Sequence, residues 1–176
     1  MNLTLKRTPG IYLVGFMGSG KSTVGRMLAR RLGWHFVDID QQIEEAEKMF
    51  ITAIFDTRGE REFRRLEAEA IARVARAVAR GRPSVIALGG GAFAQPGNAE
   101  VVSGHGVSIW LDVTLELAGE RCRGASHRPL ARDSVQFEKL YLARRDSYAR
   151  ANYRVPVEVN DSALVVDTIM KLPLFE

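Results

Sequence analysis

The sequence predicts an α/β fold on a five-stranded parallel sheet, and three observations predict it. Short apolar runs alternate along the chain with longer helical stretches, the order that parallel strands and covering helices require. The first apolar run, Ile11 to Val14, is continuous, as in a strand buried on both faces. It leads into Gly15-Phe-Met-Gly-Ser-Gly-Lys-Ser22, a Gly-x-x-x-x-Gly-Lys-Ser loop that opens a helix and so has the context of a phosphate-binding loop.

Taken in order, Ile11 to Val14 is the first strand. Lys21 to Leu32 is the first helix, with Val24, Met27, Leu28, Ala29 and Leu32 at helical spacing and Gly33 closing it. His35 to Ile39 reads as a second strand, Gln41 to Met49 as a helix, and Ile51 to Thr57 as a short helical turn broken by Arg58-Gly59. A long helix from Glu60 to Arg80 carries Phe63, Leu66, Ile71, Val74 and Val78 among its apolar positions, and Gly81 and Pro83 end it. Val85 to Leu88 is a third strand that runs into Gly89-Gly90-Gly91. A helix over Gly97 to Ser103 precedes the strand Val107 to Leu111. Thr114 has the hydroxyl of a helix N-cap for a segment reaching Arg121. Arg123 to Ser134 is polar, contains Gly and Pro, and reads as a mobile loop. Val135 to Ala151 is helical, Tyr153 to Val159 is the fifth strand, and Ala163 to Lys171 is a closing helix.

The 176 residues are enough for one domain with a proper core. The single cysteine, Cys122, leaves no internal disulfide, and Met1 to Pro9 has no apolar core behind its charges, so no secretory signal is read there. The longest apolar runs are far short of a membrane span. A cytoplasmic protein with no membrane partner is expected. The net charge of +4 comes from arginines spread along helices, with no basic block interleaved with aromatics, so nucleic acid is not expected as a partner either. A pocket for several phosphates uses a cationic surplus in any case. His35, His105 and His127 have no metal-ligand spacing, and no zinc or thiol chemistry is read.

The chemistry starts in the loop. Backbone N–H groups from Phe16 to Lys21 can curl around a phosphate because Gly15, Gly18 and Gly20 put no Cβ in the way. The following helix adds its free N–H groups and the positive end of its dipole. Lys21 then reaches the β- and γ-phosphates, and the Ser22 hydroxyl takes a Mg²⁺ position. In an open parallel sheet, ligands gather at the C-terminal strand ends, which here also carry Asp38 and Asp40, the glycine triplet and the loop near residue 112. Two aspartates spaced by one residue on an extended segment project to the same side. One suits a metal shell and the other a proton acceptor, and capping the next helix is the other use of such a pair. Three glycines after a buried strand are costly in chain entropy and point to close approach of a substrate. Arg64 and Arg144 each offer a planar fork for a carboxylate, and each alone also reads as a solvated arginine on a helix face.

These motifs, in this order, resemble those of the shikimate kinase family over most of the chain. The resemblance rests on Gly15 to Ser22, Phe36-Val-Asp-Ile-Asp40, Gly59-Glu60-x-x-Phe63-Arg64, Gly89 to Gly91, Arg128-Pro129-Leu130 and Arg144 with Tyr148. It implies a three-layer fold like that of the nucleoside monophosphate kinases, within the phosphate-loop class, with a five-stranded parallel sheet. It further implies a small substrate-binding segment over about residues 40–67 and a mobile lid over about residues 123–134. The implied reaction is ATP-dependent phosphorylation of the 3-hydroxyl of shikimate, a step of aromatic amino-acid biosynthesis. Asp40, Arg64, Gly90 and Arg144 would bind shikimate, with Asp40 also deprotonating the reacting hydroxyl. Gly18, Ser19, Gly20, Lys21, Ser22, Thr23, Arg121 and Arg128 would hold ATP, with Lys21 and lid Arg128 stabilising the transferred phosphoryl. Ser22 and Asp38 would serve Mg²⁺, and a monomer is expected. The chain departs from the family at Ala131, where members often have Leu, and at Asp146-Ser147, where they often have Pro-Leu. Asn160 to Ser162 matches the family's adenine loop only loosely.

Overall fold

The computed structural model describes residues 10–123 and 133–175. Its centre is a five-stranded, all-parallel sheet in the order β2-β3-β1-β4-β5. The strands are β1 (Gly10–Val14), β2 (His35–Asp38), β3 (Ser84–Ala87), β4 (Val107–Val113) and β5 (Tyr153–Val157). Around them lie α1 (Lys21–Leu32), α2 (Ile39–Glu47), α3 (Ile51–Arg58), α4 (Glu60–Ala79), α5 (Pro96–His105), α6 (Leu115–Arg123), α7 (Ser134–Tyr148) and α8 (Ser162–Ile169). The predicted fold class and strand count hold.

The burial of the strands follows from their place. β1 and β3 are interior, and every residue of both is buried. β2 is an edge strand and is only partly covered. The core joins Ile11, Leu13, Ile86, Leu88, Ile109 and Leu111 of the sheet and its strand ends to Leu28 of α1, Ile71 of α4 and Ile169 of α8. Three later helices begin at side-chain caps, of which the sequence had suggested the one at Thr114. Thr114 Oγ1 accepts from Leu117 N–H at 3.2 Å, and Asp133 and Asp161 cap α7 and α8 through their carboxylates. Among the described residues no helix is long and apolar enough to cross a membrane.

One boundary differs in a way that bears on the site. The expected strand His35 to Ile39 ends at Asp38, because the Asp38 carboxylate caps α2 by accepting from Gln41 N–H at 3.2 Å. Asp40 therefore lies in the first turn of α2, and the two aspartates do not share an extended segment. The expected lid, apart from its flanks at Arg123, Asp133 and Ser134, lies outside the described residues, as do Arg128 and Ala131. The sheet order sets β3 and β4 on either side of β1, and the chain leaves each strand at the same edge. This is the switch point at which ligands of open parallel sheets bind.

Candidate active site

The phosphate-binding loop leaves β1 with Gly15, Gly18 and Gly20 at positive φ (150°, 78° and 91°), backbone that side chains rarely adopt. Gly20 is the N-cap of α1 in the left-handed conformation and offers no side chain there. The first-turn N–H groups of α1 have no intrahelical acceptor, as at any helix start, and Lys21, Ser22 and Thr23 provide them. Lys21 Nζ donates to Gly15 O at 2.7 Å, Phe16 O at 3.0 Å and Ser19 Oγ at 3.3 Å. Ser19 is buried within the loop, and its N–H donates to Phe16 O at 3.1 Å, so that amide is already used within the loop. Thr23 is exposed on the outer face of the first turn.

Asp38 caps the next helix, which is the other use weighed for the aspartate pair, and it also reaches the phosphate loop. Its Oδ1 caps α2, and its Oδ2 accepts from the Ser22 hydroxyl at 2.6 Å. That donor set, a hydroxyl and a carboxylate beside a phosphate loop, suits a hard cation such as Mg²⁺. Ser22 keeps its lone pairs while its proton is bound to Asp38.

Asp40 is different. Its Oδ1 is buried with no hydrogen-bond partner. Burial is the main cause that raises its pKa, from 3.8 to about 6; Glu67, Asp38 and Glu44 add to the rise, and Lys21 opposes it. Glu67, on α4, is fully buried, and its Oε2 is likewise unpartnered. Burial raises its pKa too, against Arg64 and Arg144. Both carboxylates face Gly89, where a Cβ would come within 2.9 Å of Asp40 Oδ1 and of Glu67 Oε2.

The two arginines converge. A side chain on Gly91 would run into Arg64 Nη2 and Arg144 Nη1 alike. Arg64 is held by Glu67 Oε1 at 2.8 Å and by Glu60 at 3.5 Å. Arg144 Nη1 donates to Gly90 O at 3.1 Å, and the Tyr148 hydroxyl donates to the same oxygen at 2.5 Å. Gly90 also faces the phosphate loop, with Met17 N and Gly15 O 3.8 and 3.9 Å from its Cβ position. The structure thus brings the loop, Asp38, Asp40, Arg64, Gly90 and Arg144 to one face.

Arg121 closes the other side of the loop. Its guanidinium donates to Gly18 O at 2.9 Å and to Asn160 Oδ1 at 3.0 Å, joining the loop to the segment after β5. Residue 112, at the strand end where ligands were expected to gather, is used structurally instead. Asp112 accepts from Arg145 at 2.7 and 3.2 Å and from Arg154 at 2.7 Å.

Two residues of the site were given no role of their own in the sequence reading. Glu67 had a signal: it falls four residues after Phe63 and four before Ile71, inside the apolar stripe of α4, where a lone carboxylate needs a reason. Tyr148 entered only as part of a motif, and nothing in its spacing indicated that it reaches Gly90.

A family model described as shikimate kinase matches residues 17–172 of the chain. The shikimate kinase of Persephonella marina is 42% identical over 161 residues, spanning 91% of this chain and 96% of its own. Among solved structures, shikimate kinase from Acinetobacter baumannii in complex with shikimate is 33% identical, with a TM-score of 0.87 over 95% of this chain and 93% of that one. The Aquifex aeolicus shikimate kinase structure is 34% identical, with a TM-score of 0.80 over 92% and 94%. A loop for phosphates, a partly buried aspartate and two convergent arginines thus stand where the match runs, and the chain belongs to the shikimate kinase family.

Proposed function

We infer that this chain transfers the γ-phosphoryl group of ATP to the 3-hydroxyl of shikimate, giving shikimate 3-phosphate and ADP. The observation that carries the reading is the meeting of Arg64 and Arg144 over Gly91, beside a partly buried Asp40 and within reach of the phosphate loop. Two forks from different helices suit one carboxylate, while Asp40 and Glu67 suit the hydroxyls of the same small molecule. In this reading the segment of residues 40–67, which contains most of α2, all of α3 and the start of α4, forms the substrate-binding part.

The substrate hydroxyl oxygen attacks the γ-phosphorus, and the bond from that phosphorus to the β,γ-bridging oxygen breaks. Asp40 takes the hydroxyl proton, and its raised pKa makes it a better proton acceptor than an exposed aspartate. Lys21 exchanges loop oxygens for phosphate oxygens, and the N–H groups of Gly20 to Thr23 receive the β-phosphate. Ser22 and Asp38 are the residues for Mg²⁺, which when bound neutralises charge on the β- and γ-phosphate oxygens. Gly18 and Ser19 shape the loop, Arg121 lies by the nucleotide, and Arg128 acts from the lid on the transferred phosphoryl.

The test alters both the protein and the ligand. Arg64→Lys and Arg144→Lys should each raise the KM for shikimate about tenfold or more, at roughly 1.4 kcal/mol per decade, with the KM for ATP nearly unchanged. An ADP-release assay with the primary amide of shikimate, which keeps every hydroxyl and loses the charge, should give a far lower kcat/KM than the acid. Equal turnover of acid and amide would rule out the carboxylate clamp.

A further inference from the structure

The glycine triplet contains two peptide planes, each fixed by its carbonyl. Gly89 O accepts from Ala92 N–H at 3.1 Å. Gly90 O accepts from the Tyr148 hydroxyl at 2.5 Å and from Arg144 at 3.1 Å. The amides on the far side of these planes, Gly90 N–H and Gly91 N–H, donate to no acceptor among the described residues. In a trans peptide the C=O and N–H point in opposite directions. A bond to the carbonyl therefore aims the amide hydrogen away from the anchor, and Tyr148 in this way aims Gly91 N–H.

Glycine is the residue least able to hold such an orientation unaided. The anchor, by contrast, is rigid. Tyr148 ends α7, is 2% exposed, and lies 6.0 Å from the Trp110 ring at a 42° tilt. Its neighbour Arg145 holds Asp112 of β4 with two hydrogen bonds, so the last turn of α7 is tied to the sheet that carries the site. Burial pushes the phenol pKa up, which keeps the hydroxyl a donor across the working pH range.

We propose that Tyr148 is a positioning residue for phosphoryl transfer: by holding Gly90 O it fixes the Gly91 amide and the fork of Arg144 in the geometry that receives the acceptor substrate. The proposal rests on the shikimate reading above. With two donors on one carbonyl, Arg144 needs only one nitrogen there and keeps the rest of its fork for the carboxylate. Without the hydroxyl, the Gly90–Gly91 plane has a single charged anchor that the substrate also recruits.

Tyr148→Phe tests this, since it keeps the ring and the Trp110 contact. The KM for shikimate should rise about tenfold, the scale of one hydrogen bond, with the KM for ATP within about twofold of wild type. The amide cross-peaks of Gly90 and Gly91 in a ¹H–¹⁵N spectrum should shift or broaden. A tyrosine that serves packing alone would lower the unfolding midpoint and leave both readouts unmoved well below it. Either an unchanged KM for shikimate or unmoved cross-peaks in the folded variant overturns the proposal. Should the variant not fold, the wild-type spectrum decides. Before shikimate is added, Gly90 and Gly91 must each give one sharp peak that moves on titration, and doubled or broad peaks overturn a pinned triplet. Wild-type protein that leaves shikimate unphosphorylated defeats the functional reading instead, whatever Tyr148→Phe does.

Discussion

At the scale of single residues, the site is organised by carboxyl oxygens buried without a hydrogen-bond partner. Asp40 and Glu67 are acids with buried, unpartnered oxygens on the same side of Gly89. An acid whose pKa rises on folding binds more protons folded than unfolded between the two values. For Asp40, stability therefore falls as pH rises from about 4 to about 6 and stays low above that. Asp40→Asn keeps the shape and removes the charge. Without ligands, the variant and wild type should have similar unfolding free energies near pH 4. At pH 8 the variant should be the more stable, by on the order of 2 kcal/mol, while losing nearly all turnover. Urea denaturation at the two pH values measures this, and a variant less stable than wild type at pH 8 would contradict the cost assigned to the charge on Asp40.

At the scale of elements, the phosphate loop is placed by how closely α1 approaches the sheet. Gly25, in the interior of α1, permits that approach, because a Cβ there would lie 2.5 Å from the Phe36 ring of β2 and 3.4 Å from Leu13 of β1. Alanine is worth about 1 kcal/mol more than glycine in a helix, yet crowding of this kind costs about 1 to 3 kcal/mol. Gly25→Ala should thus be destabilising by chemical denaturation, and the loss should shrink or reverse in a Phe36→Leu background. The elements were largely legible in the sequence, for their periods and breakers are local properties. The start of α2 at Ile39, two residues before the expected one, was not. It depends on a carboxylate choosing a backbone N–H three residues on, a competition that apolar pattern does not register. Glu67 was legible in principle, as a charge on an apolar stripe. Its pairing with Arg64 was obscured by the many other Arg and Glu residues at helical spacing in α4.

At the scale of the whole molecule, Asp112 ties β4 to the edge strand and to α7. It is buried and serves Arg145 and Arg154, while both arginine groups also lie over the Trp110 ring at 4.9 and 5.6 Å. Asp112→Ala leaves two guanidinium groups facing an apolar strand. Because both are partly exposed and can turn to solvent, the expected loss is about 1 to 3 kcal/mol rather than that of a fully buried pair. Thermal and urea unfolding check it, and a neutral effect would mean the bridge is replaced by water. The parallel order of the sheet was legible because a phosphate loop needs a strand before it and a helix after it. The convergence of Arg64 and Arg144, far apart in sequence, was accessible only through resemblance, because no periodicity links α4 to α7. Lys21, finally, donates to two carbonyls and a hydroxyl of its own loop. An entering anion must exchange for those oxygens rather than add to them. Neutral oxygens hold an ammonium less firmly than a polyphosphate does, so the loop discriminates by charge density, passing over weak anions and surrendering its lysine to the nucleotide.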